Sequence, residues 1–451
     1  MEQQTQLARL GLFDAKVPRY TSYPTAPHFG GGVSGDDFGQ WIRTIPAGRE
    51  ISLYVHVPFC RRLCWFCACR TQGTRTDSPL RAYLDTLKAE LALLAQDLPE
   101  GVRLSRLHFG GGTPTLLPAE MLTELTDAIF SFLPLGPGAE FSVEIDPNEI
   151  DYARLDALAG AGMTRASIGV QDFDPEIQKI IGREQSYEVT EAAVSALRAR
   201  GVRSLNADIL YGLPNQTHAR IADSVQKLLS LGPDRVALYG YAHVPWMAKR
   251  QSMIPSDALP TPQERLGLFD TARELFVWDG YREIGIDHFA VKGDGLETAL
   301  RAGRLKRNFQ GYTDDTADVL VGVGASSISR FPQGYAQNAP ATSAYTQRIR
   351  SGAYATSRGH RFSADDILRG RMIEALMCDF RVSLGEVAAL PGASRAEIGR
   401  WCSDVAGQFP GFTRFDGESF EILPEGRPLT RMVARAFDAY DLSRAGHSSA
   451  V

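Results

Sequence analysis

The chain has 451 residues, of which 44% are hydrophobic and 22% charged, the balance of an ordinary globular protein and not of a disordered chain, a collagen or a coiled coil. Its 48 Lys and Arg against 53 Asp and Glu give a net charge of -5 without a basic run, so nucleic-acid binding is not predicted. No apolar run approaches the roughly 20 residues that cross a bilayer, and the start MEQQTQLARLGLF does not resemble a signal peptide, so we expect a cytoplasmic protein.

Three regions follow one another along the chain. Residues 1–50 are predicted to form an irregular arm that contains the stretch VPRYTSYPTAPHF. Residues 51–335 alternate short apolar, β-rich runs with helical patterns, which is typical of βα units and a parallel sheet. Six runs can be counted, at residues 51–59, 103–111, 140–147, 165–172, 204–214 and 235–243. Six units are fewer than the eight of a closed barrel, so an open or partial barrel and a doubly wound sheet both fit this α/β pattern.

The last region, residues 336–451, has a different pattern. FSADDILRGRMIEALMC and SRAEIGRWCSDV have helical spacing, and FTRFDGESFEIL alternates around Asp416 and Gly417 as a hairpin does. We therefore expect a smaller C-terminal α+β domain of winged-helix type.

The cysteines are the most informative residues of the chain. Cys60, Cys64, Cys67 and Cys69 lie in the segment CRRLCWFCAC directly after the first run, whereas Cys378 and Cys402 stand apart and are predicted to be buried. In a reducing compartment such a cluster indicates metal or redox chemistry and not a disulfide framework. Three thiolates so close together can bind a four-iron cluster and leave one iron open. The alternatives are a zinc loop completed by His56 or Cys69, and a set of incidental buried cysteines.

The spacing CxxxCxxC after the first strand of a βα array resembles the radical S-adenosylmethionine (SAM) superfamily over residues 51 to about 330. Nearly the whole chain resembles one of its families, the oxygen-independent coproporphyrinogen III oxidases, in YVHVPFC, CAC, HFGGGTPT and the arm PRYTSYPTAPHF. The resemblance implies a partial (β/α)6 TIM-like barrel with a [4Fe-4S] cluster on Cys60, Cys64 and Cys67. It implies two SAM molecules as well. Cys69 is then not a ligand but a residue associated with oxidase activity, and the related haem-binding chaperones generally lack both this cysteine and the arm.

Polar and glycine residues end successive runs, where parallel sheets place their chemistry. Glycine at such an end lets backbone amides approach a ligand closely, and carboxylates suit ribose hydroxyls and the SAM amine. By resemblance, the first SAM is expected at Tyr54, Gly111, Glu144 and Ile328. The second SAM is expected at Phe66, Gly112, Thr113, Gln171, Arg183, Asp208 and Ala242. Taken alone, Arg183 could equally be a surface charge and Ile328 a core residue.

The resemblance further implies the reaction. A 5′-deoxyadenosyl radical from SAM removes a hydrogen from a propionate of coproporphyrinogen III, and loss of an electron and carbon dioxide leaves a vinyl group. A second round gives protoporphyrinogen IX. The partners are then this porphyrinogen and an unidentified electron donor and acceptor, and we expect a monomer. Because the substrate carries four propionates, the sequence predicts a basic pocket, with Arg19, Arg61, Arg62, Arg307 and Arg330 as candidates. A haem-binding chaperone and a haem-modifying radical SAM protein remain the alternatives.

Overall fold

The computed structural model describes residues 2–441 and 448–450. The prediction of an irregular arm is wrong in two places, since helices α1 (Glu2–Arg9) and α2 (Gly35–Arg43) lie within it. Helix α2 begins with a capping box: the Asp37 N–H donates to the Ser34 hydroxyl at 3.2 Å, and the Ser34 N–H donates to the Asp37 carboxylate at 2.8 Å. This local pairing starts a helix in a segment that is otherwise rich in glycine.

A parallel sheet with covering helices follows and confirms all six predicted runs. In chain order the elements of this region are β1 (Glu50–Val57), β2 (Phe59–Cys60), β3 (Gln72–Gly73), α3 (Ser78–Asp97), β4 (Arg103–Gly111), α4 (Ala119–Phe130), β5 (Leu135–Ile145), α5 (Tyr152–Gly160), β6 (Arg165–Gln171), α6 (Pro175–Ile180), α7 (Tyr187–Ala199), β7 (Ser204–Tyr211), α8 (His218–Ser230), β8 (Arg235–Gly240) and α9 (Pro262–Trp278). Strands β2 and β3 pair with each other outside this sheet. Strands β1, β4, β5, β6, β7 and β8 are parallel neighbours in that order. Their carboxyl ends therefore lie along one edge of the sheet.

The sheet continues beyond these strands at both sides. The elements of this part of the chain are β9 (Arg282–Ile284), β10 (His288–Ala290), α10 (Gly295–Arg301), β11 (Lys306–Asn308), β12 (Gly311–Thr313), β13 (Leu320–Val323), β14 (Ile328–Phe331), β15 (Gly334–Asn338), α11 (Thr342–Arg350) and β16 (Thr356–Arg361). Strands β11 and β12 form a separate two-stranded sheet. Strand β13 pairs with β1 and is parallel to it, a seventh parallel strand that the run count missed. Strands β10 and β9 at one side, and β14 to β16 at the other, are antiparallel. The division at residue 335 stays a prediction, and β15 lies across it.

The C-terminal region contains the predicted helices and hairpin. Its elements are α12 (Ala364–Asp379), β17 (Arg381–Ser383), α13 (Leu384–Ala388), α14 (Arg395–Gln408), β18 (Thr413–Phe415), β19 (Ser419–Ile422) and α15 (Thr430–Ala436). Strands β17, β19 and β18 form a small antiparallel sheet, with Asp416 and Gly417 in the turn of the hairpin. One apolar cluster joins Leu12 and Val17 of the N-terminal segment to Leu376 and other side chains of this unit, so the arm packs on the C-terminal region.

Apolar burial fixes the central sheet. Side chains of successive parallel strands, among them Leu53, Phe109, Phe141 and Ile168, are at most 1% exposed and belong to one large core cluster. Such a core keeps the strand ends rigid relative to one another. Over the part of the chain that the structure describes, no helix combines the length and the apolar character needed to span a membrane.

Candidate active site

The cysteine segment begins at Cys60, the last residue of the two-residue strand β2, and ends shortly before the two-residue strand β3. Cys60, Cys64 and Cys67 are half-buried free thiols, and Cys69 is exposed. The Cys69 N–H donates to the Cys67 sulfur at 3.4 Å, and the hydrogen bond between the two side chains lowers the pKa of Cys67 and raises that of Cys69. Cys378 and Cys402 are buried, as predicted. The site thus holds three thiols in one loop and a fourth beside them.

The glycine turn after β4 packs directly against this loop. The N–H groups of Gly112 and Thr113 donate to the carbonyl oxygens of Val57 and Phe59, each at 2.8 Å. A side chain on Gly112 would lie 2.5 Å from the Phe59 oxygen and 3.0 Å from the Cys60 sulfur. Only glycine allows this approach of two backbone segments. The amides of Gly112 and Thr113 are therefore already used within the protein.

A polar cluster at the ends of β1, β4 and β5 surrounds Glu144. The Glu144 carboxylate accepts from the Gly111 N–H at 2.9 Å and lies 3.4 Å from the His108 Nε2. Burial raises the pKa of Glu144, but the bonds from His108 and Gly111 outweigh it and hold that pKa below its ordinary value. The Tyr54 ring stacks on His108, and its hydroxyl lies 2.9 Å from the His56 Nδ1. Glu144 is thus an ionised acceptor at the strand ends.

Ile328 lies close to this cluster through strand β13. Tyr54 is in register with Gly322 of β13, and a side chain on Gly322 would lie 2.8 Å from the Ile328 carbonyl oxygen. Ile328 is the first residue of β14 and only half-buried. The structure therefore brings together the four residues expected at the first SAM: Tyr54, Gly111, Glu144 and Ile328.

Arg183 is not the surface charge that its sequence context allowed. Its side chain is 11% exposed, and its Nη1 lies 3.2 Å from the Asp146 carboxylate and 3.6 Å from the Cys64 sulfur. Its Nη2 donates to the Gly169 carbonyl at 2.9 Å and to the Gln185 side chain at 3.0 Å. The Nε is buried and has no hydrogen-bond partner among the described residues. One donor of this guanidinium is therefore left for a ligand.

Two further residues expected at the second SAM are Asp208, which lies within β7 and not at its end, and Gln171. Burial raises the pKa of Asp208 to about 7, against the hydrogen bond of 2.8 Å that its carboxylate accepts from the Asn206 amide. Gln171, the last residue of β6, has a φ of +70°, a region that residues with a side chain rarely adopt. Backbone strain of the kind seen at Gln171 collects at functional sites, and the expected roles of Asp208 and Gln171 at the second SAM stay predictions.

Sequence reasoning missed Gln251, which connects the cysteine loop to the end of β8. This side chain is 1% exposed, and its Nε2 donates to the Phe66 carbonyl at 2.7 Å and the Ala242 carbonyl at 3.0 Å. Its Oε1 accepts from the Val244 N–H at 2.5 Å. Phe66 and Ala242, both expected at the second SAM, are thus held by one amide. No local pattern marks Gln251, because its partners are distant in sequence or backbone atoms.

The donor set fits an iron-sulfur cluster better than a single metal ion. Among the described residues, no group of three or more His, Cys, Asp and Glu is placed to hold one ion. In a [4Fe-4S] cluster each thiolate binds a different iron, so the sulfurs need not converge on one point. Cys60, Cys64 and Cys67 on a short loop, with Gly112 packed against Cys60, are residues of the required kind.

A cavity of 670 Å³ opens beside the site. Tyr239, Gly240 and Ala242 from the end of β8 line it, and so do residues of the arm, of α9 and of the C-terminal region. Its arginines are Arg19, Arg265, Arg273, Arg307, Arg427 and Arg431. Of the five candidates from sequence, this set includes Arg19 and Arg307. Arg61 instead pairs with Asp77 at 2.5 Å, Arg62 is exposed on the cysteine loop, and Arg330 borders a separate recess near Tyr335.

Comparison with known proteins gives consistent results. Residues 54–228 match the family model described as the radical SAM superfamily. The chain is 67% identical over 451 residues, 100% of both chains, to the oxygen-independent coproporphyrinogen III oxidase of Paracoccus denitrificans, and 36% identical to that of Escherichia coli over 96% of this chain and 95% of the relative. A solved structure, coproporphyrinogen III oxidase (HemN) from Escherichia coli, described as a radical SAM enzyme, is 35% identical. It superimposes with a TM-score of 0.90 and covers 95% of this chain and 100% of its own.

Proposed function

Because the chain belongs to the family of oxygen-independent coproporphyrinogen III oxidases, within the radical SAM superfamily, we propose that its cysteine loop and strand ends carry out that reaction. The enzyme converts two propionates of coproporphyrinogen III to vinyl groups and so forms protoporphyrinogen IX. The observation that carries the assignment is the packing of the loop with Cys60, Cys64 and Cys67 against the glycine turn that places Gly111 on Glu144.

The cofactors supply the radical chemistry. Cys60, Cys64 and Cys67 would hold a [4Fe-4S] cluster, which together with SAM would supply the 5′-deoxyadenosyl radical needed to remove a hydrogen atom from the β-carbon of a propionate. The protein binds and orients the groups around that reaction. Glu144, ionised and at the end of β5, is suited to accept hydrogen bonds from the SAM amine, with Tyr54, Gly111 and Ile328 beside it.

The second SAM belongs, in this proposal, between the cysteine loop and the ends of β6, β7 and β8. Arg183 offers its unpartnered Nε to a carboxylate, and Asp208 offers acceptors to ribose hydroxyls. Gly112 and Thr113 contribute surface and not amides, because those N–H groups donate to Val57 and Phe59. Phe66, Gln171 and Ala242 complete this set.

Cys69 is proposed as a catalytic residue beside the cluster. Its backbone N–H donates to the Cys67 sulfur, while its side chain belongs to an exposed residue that is not needed as a fourth ligand.

Each decarboxylation removes one hydrogen atom and one further electron from the substrate, and carbon dioxide leaves. The electron donor and the electron acceptor stay unidentified, and the monomeric state and the cytoplasmic location stay predictions.

An anaerobic assay tests the function directly. Reconstituted protein with SAM, a strong reductant and coproporphyrinogen III should lose carboxyl groups stepwise, with a matching yield of 5′-deoxyadenosine by mass spectrometry. Cys69→Ser should keep the cluster absorbance and lose turnover, and Cys402→Ser, a buried thiol of the C-terminal unit, is the matched control. SAM cleavage with an unchanged porphyrin would contradict the proposal and favour haem binding or haem modification.

A further inference from the structure

We propose that Arg265, Arg307 and Arg431, with Arg19 at the opening, form the site that binds the carboxylates of the substrate. The inference rests on the proposed function, since it takes the bound anions to be the propionates of coproporphyrinogen III. All four arginines line the 670 Å³ cavity, which is within the range of about 300–1,000 Å³ typical of small-molecule sites. We call them the arginine wall.

Arg307 gives the strongest indication of a ligand. Its side chain is 4% exposed, and its Nε and Nη1 are buried with no hydrogen-bond partner among the described residues. The Nη2 lies 3.7 Å from the Asp287 carboxylate, and the guanidinium lies 4.5 Å from the ring centre of Tyr312. Buried donors without acceptors destabilise a protein unless another group satisfies them. A carboxylate in the cavity is the acceptor that matches a planar guanidinium.

The other members of the arginine wall bond to neutral groups. Arg265 donates to the Tyr241 carbonyl at 2.7 Å and has a buried, unpartnered Nε, and Arg19 donates to the Gly240 carbonyl at 2.9 Å. Arg431 donates to backbone carbonyls, among them that of Pro18 at 3.0 Å. Burial and the neighbouring Arg19 lower the pKa of Arg431 to about 9. Carbonyl oxygens orient these side chains without neutralising them, and the single carboxylate of Asp287, which acts on Arg19, Arg307 and Arg431, does not balance four positive charges.

The other two arginines of the cavity, Arg273 and Arg427, share a carboxylate. Glu283 lies 2.6 Å from Arg273 and 3.1 Å from Arg427, which neutralises these two charges in part. Asp287 faces Arg307 but also lies 2.7 Å from the His288 Nδ1. The remaining acidic lining residues, Asp270, Glu274 and Glu425, are exposed at the rim.

The cavity is connected to the cysteine loop through Ala242. Ala242 lines it, and the Ala242 carbonyl shares the Gln251 amide with Phe66, the residue before Cys67. Tyr211, Tyr239 and Phe269 give the lining an aromatic part suited to a large ring system. A ring bound in this cavity would therefore lie beside Ala242, which Gln251 connects to the cysteine loop.

Direct binding tests the inference apart from turnover. Coproporphyrin III, the stable oxidised form, is titrated by fluorescence into reconstituted holoenzyme with SAM. Arg307→Gln and Arg265→Gln should each raise its Kd roughly ten- to hundredfold, because each removes charge-assisted hydrogen bonds. Arg307→Lys, which keeps the charge and loses the fork, should fall between the wild type and Arg307→Gln. Arg395→Gln, whose ion pair with Glu418 lies on the surface, should not change the Kd.

The outcomes separate the two proposals. Suppose that Arg265→Gln and Arg307→Gln fold by circular dichroism, keep the cluster absorbance and bind coproporphyrin III like the wild type. The proposal that the arginine wall binds the substrate is then overturned, while the proposed oxidase function is unaffected. If the two variants lose binding but the wild type forms no vinyl product, the arginine wall is supported as the binding site and the proposed oxidase function is contradicted. If Arg307→Gln does not fold, Arg265→Gln decides, because Arg265 is only half-buried.

Discussion

Replacing Gln251 by leucine should detach the cysteine loop from the end of β8. The side chain makes three hydrogen bonds, to the backbone of Phe66, Ala242 and Val244, and is 1% exposed. A neutral hydrogen bond contributes about 1 kcal/mol net, so the loss of all three should lower the free energy of unfolding by about 3 kcal/mol. Leucine is close in size but apolar, so it cannot replace any of these hydrogen bonds. Because Phe66 precedes Cys67, the loop should also hold its cluster less firmly.

The assay compares Gln251→Leu with Gln263→Leu, a matched change at an exposed position of α9. Iron per chain after reconstitution and the rate of cluster loss under chelator measure the loop, and urea unfolding measures the stability. We expect Gln251→Leu to lose iron faster and to unfold at lower urea. Equal iron retention in the two variants would refute the link between Gln251 and the loop, even if stability fell.

Three other changes probe separate features. Gly112→Ala places a methyl group 2.5 Å from the Phe59 oxygen and should prevent cluster assembly, measured as iron per chain. The control Gly160→Ala, in α5 with no atom nearby, should keep the iron content and leave the melting temperature unchanged or raise it. Burial raises the pKa of Glu90 to about 6 from an ordinary 4.5, so the folded chain keeps a proton that the unfolded chain releases. As the pH rises through 4.5 and 6, the free energy of unfolding of the wild type should therefore fall by about 2 kcal/mol, whereas that of Glu90→Gln should not. Urea unfolding at several pH values measures this difference, and the same pH dependence in both proteins would contradict the raised pKa of Glu90. Arg183→Lys keeps the charge but loses the fork that reaches several acceptors, so it should weaken SAM binding measured by calorimetry, and unchanged binding would remove Arg183 from the site.

The fold was readable from sequence where the signal was local. Each of the six parallel strands is an apolar run bounded by turn residues, and the hairpin shows alternation around Asp416 and Gly417. Helix α2 also has a local signal, because Ser34 and Asp37 have the spacing of a capping box. The sequence analysis did not predict this helix, because the glycines around it favour an irregular segment. Strand β13 was missed because it has only four residues and forms by pairing with β1, far away in sequence.

The site could be predicted only in part, because contiguous motifs are visible in the sequence and contacts between distant segments are not. The cysteine loop and the glycine turn are contiguous motifs, and most residues expected from the family lie around them. Gln251 carries no motif, and its role arises from a bond to Phe66, 185 residues earlier in the chain. Contacts of this kind depend on the packing of whole elements and have no local signature.

The arginine wall shows how far net charge can mislead about a binding site. The chain carries a net charge of -5, which by itself argues against an anionic ligand, yet four arginines from the arm, α9, β11 and α15 meet at one cavity. Arg307 and Arg19 could be suggested from sequence because a polyanionic substrate requires cations, but nothing in the sequence distinguishes Arg265 and Arg431 from surface arginines. In a cavity of low dielectric constant, a few uncompensated guanidinium groups dominate the local potential over distant surface carboxylates, which solvent and salt screen. The sign of the charge around the substrate is therefore set by which chain segments the fold brings together, and not by the composition of the whole protein.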